Sequence, residues 1–114
     1  MRAVLFLIAL FAPLPVWAAT YAPSEAAAHV GESATVQGTI SQTHVDDKSG
    51  AGFLNMGGRH PNQAFHGYIP GRAMGRFGNL GRYEGKTVGI TGTIRDFHGK
   101  PEIVVSDPGQ ITSR

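Results

Sequence analysis

Phe53, Asn55, His66 and Tyr68 recur at alternate positions in two short apolar runs, Gly52 to Met56 and Ala64 to Ile69. If the runs are strands, the four side chains share one face, while Leu54, Met56, Phe65 and Ile69 point the other way into a core. Rings and an amide on an open sheet can stack on planar heterocycles and hydrogen-bond to them, and base stacking contributes roughly 1–3 kcal/mol per base. Tyr68 is the preferred platform. Phe53 reads either as platform or as core, because a register shift of one residue exchanges the two sets. Arg59 lies in the connection between the runs, and Arg95 and Lys100 flank a later turn; these are the cations best placed to meet phosphates.

Other chemistry finds little support. The five histidines, His29, His44, His60, His66 and His98, include no HxH or HxxxH pair, so they read as single surface or turn residues. Asp46 and Asp47 fall in Asp-Asp-Lys-Ser-Gly50, which has turn chemistry and lacks the spaced ligands and closing glutamate of a calcium loop. No cysteine is present, which excludes thiol catalysis and disulfides. There is no Ser/His/Asp arrangement or glycine-rich phosphate loop, and only Asp96 and Glu102 flank a basic hairpin. The expectation is a non-catalytic protein with no metal and no cofactor.

Charge is unevenly placed. From Arg59 to Lys100, seven basic residues face Glu84 and Asp96; from Ala19 to Gly58, Lys48 faces four acids. Such asymmetry suits a polyanion-binding face.

The elements that must position these residues begin with a near repeat. Gly31-Glu-Ser-Ala-Thr-Val-Gln-Gly-Thr-Ile40 and Gly85-Lys-Thr-Val-Gly-Ile-Thr-Gly-Thr-Ile94 keep Gly, Thr and Ile in step. Each alternates apolar and polar residues, with Val36, Gly38 and Ile40 on one face of the first and Val88, Ile90, Gly92 and Ile94 on one face of the second. The internal glycines predict a bend, a bulge or a close backbone approach. The first strand spans about Ser33 to Thr43, the second and third are the two short runs above, the fourth spans Thr87 to Phe97 and the fifth Glu102 to Ser106. Ala73, Phe77 and Leu80, at i, i+4 and i+7, predict one short helix between the third and fourth strands, weakened by four glycines from Gly71 to Gly81.

Met1-Arg2, an apolar run to Ala12 and Val16-Trp17-Ala18 form a secretory signal peptide, expected to be cleaved after Ala18. The run is about half the roughly 20 residues that a membrane span needs. Residues 19–29 read as a lead-in with Ser24 as N-cap, 30–111 as the domain and 112–114 as a tail. The mature chain is expected to be periplasmic or secreted.

Three strands, a helix and two strands make an all-β, five-stranded OB-fold Greek-key barrel, whose second and third strands with flanking loops form the binding face. The run Phe53 to Phe65, with Tyr83-Glu-Gly-Lys-Thr-Val88, Gly92-Thr-Ile94 and Lys100-Pro-Glu-Ile-Val-Val-Ser-Asp-Pro-Gly-Gln-Ile111, resembles the small bacterial OB-fold modules of exported proteins, some free-standing and some joined to nucleases. The resemblance spans Val30 to Ile111 and implies an OB barrel that binds nucleic acid. Periplasmic OB-fold stress proteins share the topology without this hairpin sequence. Two classes of partner follow: single-stranded nucleic acid, alone or beside a separately encoded nuclease, and an envelope protein, peptide or small ligand in the same cleft.

Overall fold

The two near-repeats are partners. In the computed structural model, which describes residues 19–114, β2 (Ser33–Val45) and β5 (Thr87–Phe97) run antiparallel, with Val36 opposite Ile90 and Gly38 opposite Val88. Their apolar faces turn inward, so Val36, Ile40, Val88, Ile90 and Ile94 are all buried. Their outer face is a threonine ladder: the hydroxyls of Thr35 and Thr91 lie 2.7 Å apart and those of Thr39 and Thr87 2.9 Å.

Three further strands complete a ring. β3 (Gly52–Met56) pairs with β2 and with β4 (Phe65–Ile69), β4 runs parallel to β6 (Lys100–Val104), and β6 returns to β5. With the pairing of β2 and β5, these five strands close a barrel-like sheet, as expected of an OB-like fold. The sheet has seven strands rather than five. β1 (Ala19–Tyr21) adds in parallel to β2, and β7 (Ile111–Ser113) adds antiparallel to β5, so segments expected as a lead-in and a tail extend the sheet edges. The signal peptide expected at 1–18 lies outside the described residues.

One helix was expected between the third and fourth barrel strands; two short 3-10 helices are found, Gly71–Arg76 and Leu80–Tyr83. Gly78 separates them at φ +66°, a left-handed conformation that interrupts a right-handed helix and suits glycine. The apolar spacing still serves its purpose, since Ala73, Phe77 and Leu80 are buried. Met74 and Leu80 pack over Gly52, whereas Pro23, in the 3-10 helix Pro23–His29, packs over Gly38 and Gly57. The two caps therefore lie at opposite ends of β3. The N-terminal cap begins after Ala22, not at Ser24, and Glu25 accepts the Ala22 N–H at 2.7 Å.

Gly92 is a close approach. A Cβ there would lie 2.6 Å from Ile103 Cγ2, a branched core side chain with little room to yield. Gly92→Ala is expected to destabilise the domain by about 1–3 kcal/mol through overpacking. Urea unfolding measures it; an unchanged midpoint would show that Ile103 moves freely.

Candidate functional site

One local irregularity builds the site. Register between β2 and β3 slips between Ile40 and Gln42, leaving Ser41 as a bulge, tied by its hydroxyl to the carbonyls of Asn55 at 3.1 Å and Gly58 at 2.5 Å. A bulge changes the parity of a strand. Before it, the even-numbered Val36 and Ile40 face the core; after it, Gln42 stands opposite Asn55 and His44 opposite Phe53, on the outer face.

That face carries two rows of side chains across the strands. His44, Phe53 and Tyr68 are cross-strand neighbours, with ring centroids 6.2 Å apart for the first pair and 5.5 Å for the second. The second row is polar: Gln42, Asn55, His66, Glu102 and Arg95 follow one another across β2, β3, β4, β6 and β5. Phe97, from the end of β5, closes the far side and is 44% exposed. The turn His98-Gly99, with φ of +50° and +85°, brings His98 against Phe97 with ring centroids 4.3 Å apart. Between part of these rows and the connection after β3 lies a cleft of about 590 Å³, within the range that small-molecule pockets occupy; Tyr68, Glu102 and Arg95 lie outside its lining.

The polar row is bonded end to end in two segments. His60 donates its backbone N–H to Gln42 Oε1 at 2.8 Å, and Asn55 Nδ2 donates to the same oxygen at 3.0 Å. Across β4, Gln63 Nε2 meets His66 Nδ1 at 3.1 Å, His66 Nε2 meets Glu102 Oε1 at 2.7 Å, and Arg95 Nε donates to Glu102 Oε2 at 2.6 Å. Burial alone raises the Glu102 pKa, but hydrogen bonds from His66 and Arg95, with the charges they carry, outweigh it and hold the carboxyl below its ordinary range.

The sequence-derived residues divide accordingly. Phe53 and Tyr68 share the outer face and are half-buried, while Leu54, Met56, Phe65 and Ile69 are in the core. Asn55 and His66 are on the expected face but buried, at 1% and 3% exposure; Asn55 is bonded to Gln42, and Gln63 and the rings of Phe53 and Phe97 pack against His66. Arg95 is half-exposed and already bound to Glu102; Lys100 Nζ donates to the Gln63 carbonyl at 2.8 Å. Arg59 is exposed in the hairpin connection and does not line the cleft. Its charge adds to the hydrogen bonds from Thr43 that lower the Glu84 pKa. Arg95 and Lys100 therefore frame one end of the site, and Arg59 stands apart from them.

The expectation of single surface or turn histidines holds for His44, His60 and His98, which are exposed, but not for His66, which is buried; all four nonetheless converge on this cleft. Glu102 flanks the basic hairpin as expected, and it is buried and bonded to His66 and Arg95. Sequence reading missed Gln42, His44, Gln63, Phe97 and His98 as cleft residues; the turn signal at His98-Gly99 was the one available clue to the last two. No cluster of three or more His, Asp or Glu able to hold a metal occurs among the described residues.

No family model matches the chain, and no curated protein matches it significantly. Among solved structures, it is similar to a chain assigned as an aspartyl-tRNA synthetase from Leishmania major Friedlin, with a TM-score of 0.56 at 14% identity. The match covers 90% of this chain and 22% of that one, so the chain spans about a fifth of the neighbour's length. That likeness is one of fold.

Proposed function

We propose that the chain is an exported, non-catalytic OB-fold module that holds single-stranded nucleic acid in the cleft, by stacking on its rings and by phosphate contacts at its rim. The observation that carries this reading is the band of rings, His44, Phe53, Tyr68, His66, Phe97 and His98, laid across one face of the barrel beside a ligand-sized cleft. Stacking platforms in a groove with cations at its edges are how OB folds take single strands. The neighbour named as an aspartyl-tRNA synthetase, a protein that acts on tRNA, points the same way. Within the floor, both ring nitrogens of His66 are occupied, by Gln63 and Glu102. Export rests on the N-terminal sequence pattern.

Phosphates would meet the free ends of the Arg95 guanidinium, His60, His98 and Arg59 rather than the buried floor. With two to three such contacts, log K is expected to fall with log[salt] at a slope of about −1.4 to −2.1. Fluorescence-anisotropy titration of the mature protein with a labelled single strand at 50 and 200 mM salt tests this, alongside Arg59→Ala and Tyr68→Ala. At the shallower slope, affinity drops about seven-fold between the two salts. No binding at low salt would sink the reading and direct the search to an envelope protein or peptide as occupant.

A further inference from the structure

Two amide oxygens on residues of the cleft floor have no partner among the described residues. Because Gln42 Oε1 accepts the His60 backbone N–H, that atom is the oxygen of its amide, and Asn55 must turn Nδ2 toward it. Asn55 Oδ1 is thereby left buried and unpaired. Gln63 Nε2 faces His66 Nδ1 at 3.1 Å, and Gln63 Oε1 is left in the same condition. Buried acceptors without donors are costly, and a ligand that displaces their cover and supplies the donors recovers that cost.

The two amides sit beside His66: Asn55 is opposite it in register, and Gln63 is bonded to it. Phe53 and Phe97 belong to strands on opposite sides of β4. Their ring centroids lie 5.6 and 6.3 Å from that of His66, with planes inclined to it by 71° and 84°. The result is a slot with two steep aromatic walls and, at its floor, two amide oxygens to which nothing donates.

We propose that this slot takes one unstacked guanine base, its ring between Phe53 and Phe97 and its N1–H and 2-amino group directed at Asn55 Oδ1 and Gln63 Oε1. Guanine is the common base whose pairing edge presents two adjacent donors. Adenine and cytosine offer one amino group beside an acceptor nitrogen, and thymine and uracil offer one N–H between two carbonyls. The inference rests on the single-strand reading and adds a base preference that stacking and phosphate contacts do not provide.

The test uses labelled nine-nucleotide oligo-dT strands whose central base is dG, dA, dC, dT, hypoxanthine or 2-aminopurine, titrated by fluorescence anisotropy against the mature protein. The dG strand is expected to bind about ten-fold more tightly than the dA, dC and dT strands, as one to two added hydrogen bonds allow. Hypoxanthine, which lacks the 2-amino group, and 2-aminopurine, which lacks N1–H, should fall between. Gln63→Leu should bring dG toward the dT value; if that variant does not fold, the two analogues interrogate the same acceptors on the native protein. Equal affinity for all six strands overturns the guanine assignment and leaves single-strand binding standing. Binding of none of them overturns both.

Discussion

Glu102→Ala is expected to cost the domain about 3 kcal/mol and to lower its melting temperature by roughly 12 to 24 °C. The carboxylate is 1% exposed and receives two hydrogen bonds, from His66 at 2.7 Å and from Arg95 at 2.6 Å. Charge-assisted bonds of this kind contribute about 1.5–3 kcal/mol each. The loss stays near the lower end of their combined worth because Arg95 is half-exposed and regains water when its partner is removed. Glu102→Gln keeps the shape and loses the charge, and should cost roughly half as much.

The same residue sets an acid limit. The folded-state pKa of Glu102 lies below its ordinary value of 4.5. A depressed carboxyl pKa means that the unfolded chain takes up the proton first as pH falls. The stabilisation is therefore complete above about pH 4.5 and is lost as pH drops through the lower, folded value. Urea unfolding of the wild type and Glu102→Gln between pH 7 and pH 3 should show the difference between them shrinking toward acid. A difference that stays constant across that range would refute the charged role assigned to Glu102.

Phe53→Ala carries the largest expected effect on binding. Removal of one stacking platform costs about 1–3 kcal/mol per base, or roughly 5- to 150-fold in affinity for a single strand. The ring lies within 5.5 to 6.2 Å of His44, His66 and Tyr68, at the centre of the band, so its loss opens a gap that no neighbour fills. Because Phe53 is half-buried on the outer face, the substitution should cost only about 1 kcal/mol of stability. Leu54→Ala, one residue away and fully buried, is the opposite case: about 2–5 kcal/mol of stability with little change in affinity for the molecules that remain folded. Anisotropy titration and denaturant unfolding of both variants separate platform from core. Equal losses of affinity in the two would deny Phe53 a direct contact.

Much of the barrel was legible in local pattern. Alternation in the two near-repeats placed Val36, Ile40, Val88, Ile90 and Ile94 inside, and alternation in the short runs placed Leu54, Met56, Phe65 and Ile69 inside, because a half-buried strand must segregate its side chains with period two. The same rule put Phe53 and Tyr68 together on the outer face. Turn chemistry marked the ends of the strands, as Asp46 shows by accepting the Ser49 N–H at 2.8 Å.

Tertiary structure decided the rest, for reasons that periodicity does not contain. The bulge at Ser41 reverses the parity of β2, so the pattern that sends Ile40 inward sends Gln42 and His44 into the cleft. Nothing in the local sequence announces that slip; it is held by bonds from Ser41 to residues 14 and 17 positions away. The floor joins residues from five strands, with Glu102 lying 36 positions from His66, and only the parallel pairing of β4 with β6 sets them side by side. Alternation could say that Asn55 and His66 face away from the core, but not that both would be buried there. Composition and strand pattern were thus enough for a β barrel with an aromatic face, whereas the polar floor and its unpaired acceptors arise from long-range register, which is set when the ring of strands closes.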